Sequence, residues 1–297
     1  MLNSLRAKLP DPLRRVLRQV RAATLSLGLP RNREFKQPQS EIDASAAMSI
    51  IVAIHDEPEV VERCLSSLER YATKAEVILV DDSSKLDRTV AIVDDFGQRR
   101  GWVVIRHSSP KGHSRSCEAG ARVATRPYLC LLNSDTVVTP WSWRGVKEVF
   151  ETDANIAAVG PSTSWAATPQ MISIAMHCRH YWTDSQIYGF VEQTLAKGRE
   201  NRMTDLVEVS GCAFFIRREL WGKLGGFDPN LPDYGNETEL CIQLLKQGFR
   251  IVWTQEAYIH HLGRQSYGRD GGNAIEQKKR AVGEYIAKKH GQPEQGT

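Results

Sequence analysis

The sequence predicts an α/β fold in which helices cover both faces of a mainly parallel central sheet. From Met48 onward, short apolar runs alternate with helical patterns of about ten to fifteen residues, in the order β-α-β-α-β-α-β. Strands joined in this way lie parallel, with right-handed crossovers. The chain has 297 residues, of which 41% are hydrophobic, so it can fill the core of one large domain or two small ones.

The first half of the pattern is regular. A first strand at 49–54 leads into His55-Asp56-Glu57-Pro58, where a helix is predicted to begin with Asp56 as its cap and Pro58 in its first turn. The next predicted elements are a strand at 76–80, a helix at 87–98, a strand at 102–105, a helix at 113–124 and an apolar strand from Tyr128.

The second half is less regular. Segment 162–206 mixes aromatic and polar residues without a clean period, which fits either a ligand-binding segment or a packed surface lobe. A strand at 207–216 is predicted to bring Gly211 into close approach with another part of the chain. The remaining predicted elements are a helix from Trp141 to Phe150, a strand at 156–161, helices at 217–224 and from about 237, a strand at 249–253 and a basic helix at 274–289.

Three regions are predicted along the chain: a basic amphipathic tail and linker at 1–46, a globular domain at 47–267, and a basic helix or tail at 268–297. Residues 1–46 hold nine Lys or Arg against four Asp or Glu, a net charge of +5. Their apolar residues repeat at helical spacing, and the linker begins at Pro30. Such a helix can lie on an anionic membrane, pack on its own domain or a partner, or remain partly disordered. The members of the apolar stripe are Leu13, Val16, Leu17, Val20, Thr24 and Leu27.

Composition favours a cytoplasmic protein, with peripheral contact at the inner face of the cell membrane as a further expectation. No apolar run approaches the roughly twenty residues that span a bilayer. Arginines interrupt the N-terminal apolar residues, which is untypical of a cleaved signal. The six cysteines are scattered without a C-x-x-C pair, as expected for reduced thiols.

A candidate site lies where the apolar run from Tyr128 to Leu132 breaks into Asn133-Ser134-Asp135-Thr136. Open α/β sheets bind ligands at the carboxyl ends of their strands, so Asp135 is expected at the mouth of a site. Asp81 and Asp82 end the second strand in the same way. One Asp together with substrate oxygens is sufficient to hold a hard cation, and the plain alternative is a polar turn.

Phosphate-binding signatures narrow the class of enzyme. A G-x-G-x-x-G motif after the first strand and a G-x-x-x-x-G-K-[ST] motif are both missing, which argues against a dinucleotide dehydrogenase and a P-loop NTPase. A metal on Asp135, helped by Lys111 or Arg115, is the expected way to hold a diphosphate.

These motifs resemble those of glycosyltransferase family 2, the inverting, nucleotide-sugar-dependent enzymes whose catalytic domain has the GT-A fold. The chain is similar in particular to bacterial rhamnosyltransferase-like enzymes. The resemblance implies a Rossmann-like α/β/α sandwich of three layers. It extends from Met48 to about Tyr267, and the matching segments are 49–56, 80–84, 132–136, 225–228, 235–241 and 260–263.

The resemblance also implies roles for individual residues on the donor side. Asp81 or Asp82 would contact the base or ribose, and Asp135 would be the aspartate of the D-x-D metal motif. His261, two residues before Gly263, matches the family's metal-binding histidine better than His260, whereas a lone His more often serves packing. The residues expected against the donor are Ile54, Asp56, Asp81, Asp82, Lys111, Arg115, Asn133, Ser134 and Asp135.

On the acceptor side, glycosyl transfer requires a carboxylate that removes the proton of the acceptor hydroxyl. By resemblance, Glu237 occupies the position of this base. Glu239, Gly211 and Trp165 are expected against the acceptor. The alternative for the two glutamates is that acidic residues at a helix N-terminus complement the helix dipole.

The predicted function is inverting transfer of a hexosyl or deoxyhexosyl group from a UDP-, dTDP- or GDP-sugar to a hydroxyl of a glycan or lipid-linked glycan. The predicted cofactor is Mn²⁺ or Mg²⁺, the setting is polysaccharide biosynthesis, and no nucleic acid is expected as a partner. Two alternatives stay open. One is a metal-dependent nucleotidyltransferase, although its glycine-rich opening loop is missing. The other is an inactive sugar-binding or scaffold protein, since Asn133 replaces the first Asp of D-x-D and Glu118 stands where Asn is usual.

Overall fold

The structure is a computed structural model that describes residues 11–197, 202–231, 233–263 and 272–291. The predicted boundary at Tyr267 and the first ten residues of the predicted tail lie outside this description. In the N-terminal half, the elements are α1 (Asp11–Leu25), α2 (Gln39–Ser45), β1 (Met48–Ile54), α3 (Pro58–Tyr71), β2 (Glu76–Asp81), α4 (Asp87–Arg100), β3 (Val103–Arg106), α5 (His113–Val123) and β4 (Tyr128–Asn133).

The C-terminal half continues the same domain. Its elements are β5 (Thr136–Val138), α6 (Arg144–Thr152), β6 (Ile156–Thr163), α7 (Ser173–Cys178), α8 (Asp184–Ala196), β7 (Met203–Leu206), β8 (Ala213–Arg217), α9 (Arg218–Leu224), α10 (Asn236–Lys246), β9 (Arg250–His261) and α11 (Gly272–His290).

The strands form one mixed sheet in the order β3-β2-β1-β4-β8-β6-β9-β5, with β7 paired to the outside of β9. The predicted parallel arrangement holds for β3, β2, β1 and β4. Beyond β4 the sheet is mixed, because β8 runs antiparallel to both β4 and β6. This reversal places the start of β8 beside the end of β4, where Ala213 pairs with Leu132.

The apolar strand at Tyr128 is buried on both faces, as its composition predicts. Alternate residues face opposite sides of a sheet. Cys130 therefore packs with Ile50 and Phe215 in one core, whereas Leu131 packs with Ile51 in the other. Helices α3, α6 and α8 cover the first face and α5, α9 and α10 the second, which gives the three predicted layers.

Three predicted local features differ from the structure. The strand predicted at 207–216 begins only at Ala213, because the preceding residues form a loop and β7 pairs with β9 instead. Asp56 does not cap α3: the helix starts at Pro58 after Glu57, whose φ is 58°, and the Asp56 carboxylate binds the loop before α4 instead. The segment read as a linker contains α2, where the carboxylate of Glu41 accepts hydrogen bonds from the Trp143 and Arg144 amides.

All six cysteines are buried free thiols. Within the described ranges, none of the helices is both long enough and apolar enough to cross a membrane.

Candidate active site

The candidate site lies at the edge where the parallel strands β1, β2 and β4 end. Ile54 at the end of β1 is in register with Asp81, and Ala53 is in register with Asn133. The acidic ends of β2 and β4 therefore flank β1. The antiparallel strand β8 begins at this same edge, which brings Gly211 and Cys212 close to the D-x-D-like turn.

The carboxylates of Asp81 and Asp82 hold the loops around the site. Asp81 accepts hydrogen bonds from the Ser84 amide at 2.8 Å and from Arg106 Nε at 2.8 Å. Asp82 is held by the loop before α5 through the Lys111 amide at 2.7 Å and the Gly112 amide at 2.9 Å. His107 Nδ1 lies 2.9 Å from Asp82 Oδ1. Both side chains are buried.

Asp56 and Ile54, expected against the donor, also have contacts within the chain. Asp56 Oδ1 accepts hydrogen bonds from the amides of Lys85 and Leu86 at 2.7 and 2.9 Å. The Ile54 carbonyl accepts from the Asp82 amide at 2.8 Å, and its side chain is buried. The structure thus assigns both residues a part in fixing the loop that follows β2.

Of the remaining expected donor residues, Lys111 and Arg115 have exposed side chains at the N-terminal end of α5. Asn133 and Ser134 are partly exposed in the turn between β4 and β5. This turn is held by the Asn133 amide, which donates to the Cys212 carbonyl at 3.0 Å, and by Thr136 Oγ1, which donates to the Asn133 carbonyl at 2.8 Å.

Asp135 and His261 come together because β5 pairs antiparallel with the end of β9, so that Thr136 lies opposite His261. Asp135 Oδ1 is 3.2 Å from His261 Nε2. His261 Nδ1 lies 2.8 Å from the carbonyl oxygen of Trp165, so it donates there and leaves Nε2 directed at the carboxylate.

Burial and the neighbouring charges shift the pKa values of Asp135 and His261 in opposite directions. Burial raises the pKa of Asp135, but the charge and hydrogen bond of His261 outweigh it, so the pKa lies below its ordinary value. Burial lowers the pKa of His261, and the neighbouring Cys212 and Asp135 together raise it well above the ordinary value. Each group of the pair therefore favours the charged form of the other.

His260 faces the other way. Its Nε2 lies 3.0 Å from the Arg179 carbonyl and its Nδ1 lies 3.0 Å from the Tyr258 hydroxyl. Burial lowers its pKa to about 3. It serves packing, whereas His261 faces Asp135.

Trp165 lies beside the Asp135–His261 pair. Its ring contacts Gly263, where a Cβ atom would clash with it, and the Arg179 guanidinium lies 4.5 Å from the ring centroid. The ring is half-buried. This aromatic surface at the rim of the site is where an acceptor sugar was expected.

Glu237 stands in the first turn of α10 and crosses over Gly211. A Cβ atom at Gly211 would clash with the Glu237 carboxyl group, which explains the close approach expected there. Glu237 Oε1 lies 3.9 Å from Nε2 of His113, which is the first residue of α5. Burial raises the pKa of Glu237, while the charge of His113 opposes that rise.

The two helix starts are tied together. Asn236 Nδ2 donates to Ser114 Oγ at 2.7 Å, and Ser114 Oγ donates to the Leu231 carbonyl at 2.5 Å. His113 was not singled out by the sequence analysis, because no sequence motif joins it to a glutamate more than a hundred residues later. Its position directly after the loop that Asp82 holds is the only local signal.

Glu239, expected against the acceptor, contacts the C-terminal helix in this structure. Its side chain is fully buried beneath α11. Oε1 lies 2.6 Å from Lys289 Nζ and 2.9 Å from His290 Nε2, and Gln243 donates to the same carboxylate. Lys289 also lies 2.7 Å from Asp228 Oδ2. Glu239 therefore anchors the C-terminal helix, and only Glu237 of this acidic pair faces the site.

Glu118, the other departure from the family pattern, accepts a hydrogen bond from the Phe227 amide at 3.1 Å. The Glu118 side chain packs closely against Gly226, whose φ is 73°. A Cβ atom at Gly226 would clash with Glu118 Oε1. The glutamate therefore fixes the Gly225-Gly226 turn.

The site fits a divalent cation. Asp135 Oδ1 and His261 Nε2 are separated by about the distance expected between two ligands of one metal ion, roughly 3 Å for bonds of about 2.1 Å. Within the described ranges no group of three His, Cys, Asp or Glu side chains could hold a metal ion. A cation at this pair would therefore complete its coordination with oxygens from another molecule, as Mg²⁺ commonly does with phosphates.

Comparison with solved structures defines the fold. The fold is that of the GT-A glycosyltransferases, and it is similar to GalNAc-T7 in complex with UDP, GalNAc and Mn²⁺ (TM-score 0.56, 17% identity, 72% of this chain and 43% of that one). It is also similar to the mannosyltransferase PcManGT from Pyrobaculum calidifontis with GDP-Man and Mn²⁺ (TM-score 0.57, 16% identity, 95% and 73%).

The sequence then gives the family. Residues 49–224 match glycosyl transferase family 2, and the chain belongs to this family. It is 27% identical over 229 residues to the O-antigen biosynthesis protein RfbC of Myxococcus xanthus, covering 72% of this chain but only 17% of that protein. It is 24% identical over 224 residues to a glucosyl-dolichyl phosphate glucuronosyltransferase of Haloferax volcanii, covering 67% of each.

Proposed function

We propose that the protein transfers a sugar from a nucleoside diphosphate sugar to a hydroxyl acceptor, with inversion at the anomeric carbon and with the help of a divalent cation. The observation that carries this proposal is the placement of Glu237. Its half-buried carboxylate lies over Gly211 at the strand edge that also holds the Asp135–His261 pair.

Asp135 and His261 would hold Mn²⁺ or Mg²⁺, which supplies positive charge to the departing diphosphate. The Trp165 carbonyl keeps the His261 ring oriented for this task through Nδ1. Lys111 and Arg115, exposed beside the same edge, would add positive charge toward the phosphates.

Glu237 would accept the proton of the acceptor hydroxyl while the acceptor oxygen attacks the anomeric carbon. One C–O bond to the acceptor forms as the C–O bond to the diphosphate breaks, and the nucleoside diphosphate leaves. A single displacement of this kind inverts the anomeric centre. A half-buried carboxylate with a raised pKa is a stronger base than an exposed one, and general bases contribute typically 10²- to 10⁴-fold to the rate.

The proposed donor is a UDP-, dTDP- or GDP-sugar that carries a hexosyl or deoxyhexosyl group. The proposed acceptor is a glycan or lipid-linked glycan in polysaccharide biosynthesis. Support comes from family membership and from relatives named for O-antigen biosynthesis and for a dolichyl phosphate-linked sugar. We place the reaction in the cytoplasm, at the inner face of the membrane.

The test is a panel of nucleotide sugars, each incubated with the protein with and without Mn²⁺ while thermal unfolding and product release are followed. One donor should raise the melting temperature in a Mn²⁺-dependent way, because a ligand that binds only the folded state stabilises it. Addition of a matching acceptor should release a nucleoside diphosphate. Release of pyrophosphate would indicate a nucleotidyltransferase. Donor binding without turnover would favour a sugar-binding protein.

A further inference from the structure

The N-terminal helix α1 turns its apolar side away from the protein. Val16, Leu17, Val20 and Leu27, four members of the predicted apolar stripe, are 45 to 79% exposed. At about 100° per residue, these positions lie along one side of the helix and just beyond its end. A helix that packed on its own domain through this stripe would bury it, so the stripe requires another explanation.

The opposite side of α1 makes the contacts with the domain. Ala22 is buried, and Leu25 and Leu29 pack against the core, while Ser26 just beyond the helix is also buried. The helix rests on α7. Because this side already holds α1 in place, the exposed stripe is free to meet something outside the domain.

The apolar surface continues on the neighbouring element. Ile174 in α7 is 48% exposed, and Tyr181, just after α7, is 37% exposed. Together, Val16, Leu17, Val20, Leu27, Ile174 and Tyr181 define what we call the α1 face.

The N-terminal region that contains this face is basic. The exposed Arg18 and the half-buried Arg21 lie in α1 itself, and Arg31 follows the helix on the surface. Residues 1–46 carry a net charge of +5 while the rest of the chain totals −1, which follows from the overall charge of +4. A second copy of the chain would bring arginines against arginines, whereas an anionic lipid surface would neutralise them.

The α1 face is connected to the acceptor side of the site. Immediately after α7, Arg179 donates to the Leu262 carbonyl at 2.8 Å, next to His261, and stacks on the Trp165 ring. One layer of structure therefore separates the face from the metal-binding pair. A membrane against α1 would lie beside the acceptor end of the site.

We propose that the α1 face docks on a bilayer containing anionic phospholipid, with Val16, Leu17 and Val20 inserted at the interface and Arg21, at the border of the stripe, paired with lipid phosphates. The helix would lie in the plane of the membrane, as basic amphipathic helices do. This proposal concerns a surface outside the catalytic machinery and does not depend on which sugar is transferred.

The experiment measures co-sedimentation of the full-length protein with vesicles of phosphatidylcholine alone and of phosphatidylcholine with phosphatidylglycerol. The protein should bind the anionic vesicles, and raising the salt from 0.05 to about 0.5 M should weaken binding strongly, since screened charges contribute. The triple variant Val16→Ser/Leu17→Ser/Val20→Ser should lose binding. Arg21→Gln should weaken it about fivefold.

The matched control is Val123→Ser/Leu245→Ser, which removes two apolar side chains of similar exposure elsewhere on the surface. It should bind vesicles like the wild type. Circular dichroism melts show whether each variant is folded, and the arginine variant serves if the triple variant is not. Equal vesicle binding by wild type and both α1 variants overturns the proposal. The proposal is also overturned if the wild type forms a dimer and does not bind vesicles, while the triple variant is a monomer. The face would then be covered by a second copy.

Discussion

At the scale of single residues, the two glutamates at the start of α10 show how position decides chemistry. They are two positions apart, yet Glu237 faces His113 and Gly211 while Glu239 faces Lys289 and is fully buried. Residues two positions apart on a helix are rotated by about 200° around its axis, so their side chains point to nearly opposite sides. The two glutamates therefore cannot share a site. Only the tertiary contacts identify which one faces the cleft.

Replacing Glu237 with glutamine separates the catalytic interpretation from the helix-dipole interpretation. Glutamine keeps the size of the side chain but cannot accept the proton, so transfer should fall by about 10²- to 10⁴-fold. Donor and metal affinity should be unchanged, as should the melting temperature. The control is Glu219→Gln, which removes an exposed glutamate from the first turn of α9 and should leave transfer unaffected. Near-normal transfer by the Glu237 variant would exclude it as the base.

Gly211 offers an independent test of the same carboxylate. A methyl group at this position would meet the end of the Glu237 side chain, which can move aside because it is flexible. Gly211→Ala should therefore fold with nearly normal stability while kcat falls by about tenfold or more, since a displaced base loses its geometry. Gly222→Ala, where a Cβ atom meets nothing within 4 Å, is the matched control for steady-state kinetics. Equal kcat values in the two variants would mean that the Glu237 position tolerates displacement.

The sequence predicted part of this site at the residue scale. Asp135 and His261 were recognised from their motifs, and the structure brings them within 3.2 Å of one another. His113, Cys212 and Arg106 were missed because each contacts the site through a partner distant in sequence. The burial of Asp56, Asp81 and Asp82 in loop-holding hydrogen bonds also could not be read from their motifs, since carboxylates at strand ends fit ligand binding and loop capping equally well.

At the scale of elements, one buried carboxylate is among the contacts that attach α2 to the domain, beside the buried Ala44 and the Asp43–Lys74 ion pair. Glu41 in α2 is fully buried and its Oε2 caps the start of α6, while its Oε1 lacks a hydrogen-bond partner in the described part of the chain. Burial raises the pKa of Glu41 from 4.5 to about 7, although the two amide hydrogen bonds oppose the rise. One of the contacts between α2 and the domain therefore depends on the protonation of Glu41.

This contact predicts a pH dependence of stability. Between about pH 4.5 and 7 the folded protein holds a proton on Glu41 that the unfolded chain releases, so the free energy of unfolding falls as the pH rises through this window. Above about 7 the effect is complete, and its size is at most about 3 kcal/mol for a shift of this extent. Glu41→Gln should remove this slope, as measured by urea unfolding at pH 5, 6, 7 and 8.

The matched control for Glu41 is Glu151→Gln, because Glu151 lies in the same helix α6, pairs with Lys147 and has a side chain that is half exposed. Its unfolding free energy should follow the wild type at every pH. Parallel slopes for the wild type and the Glu41 variant would show that this carboxyl does not titrate in that range.

Element prediction succeeded where local pattern is sufficient and failed where pairing is long-range. The alternation of apolar runs and helices from Met48 to Leu132 predicted four strands and three helices within one or two residues of their bounds. In contrast, the apolar stripe of α1 marks its outward side, because Ala22 and Leu25 make the packing contacts. The loop at 207–212 looked like a strand since its valines fit one, but Met203–Leu206 pairs with β9 in its place.

At the scale of the whole molecule, the candidate metal site joins the two halves of the sheet. Asp135 follows β4, which belongs to the parallel half, and His261 ends β9, which belongs to the mixed half. The sequence could not show that β5 and β8 run antiparallel, because strand direction depends on contacts made far along the chain. The antiparallel pairing of β5 and β8 nevertheless places His261, Gly211 and Glu237 at the edge where the parallel strands end.

A cation between Asp135 and His261 should therefore stabilise the entire fold. With Mn²⁺ at about 100 times its Kd, wild-type protein should gain about 2.7 kcal/mol in unfolding free energy, measured by thermal unfolding across a Mn²⁺ titration. Asp135→Asn and His261→Gln should each abolish this gain. Asn133→Asp, which restores the first carboxylate of the motif, should increase it.

His260→Gln serves as the control: it should lower the melting temperature equally with and without Mn²⁺, because His260 is held by Tyr258 and the Arg179 carbonyl on the far side of the strand. A full Mn²⁺ response in folded Asp135→Asn protein would place the metal elsewhere.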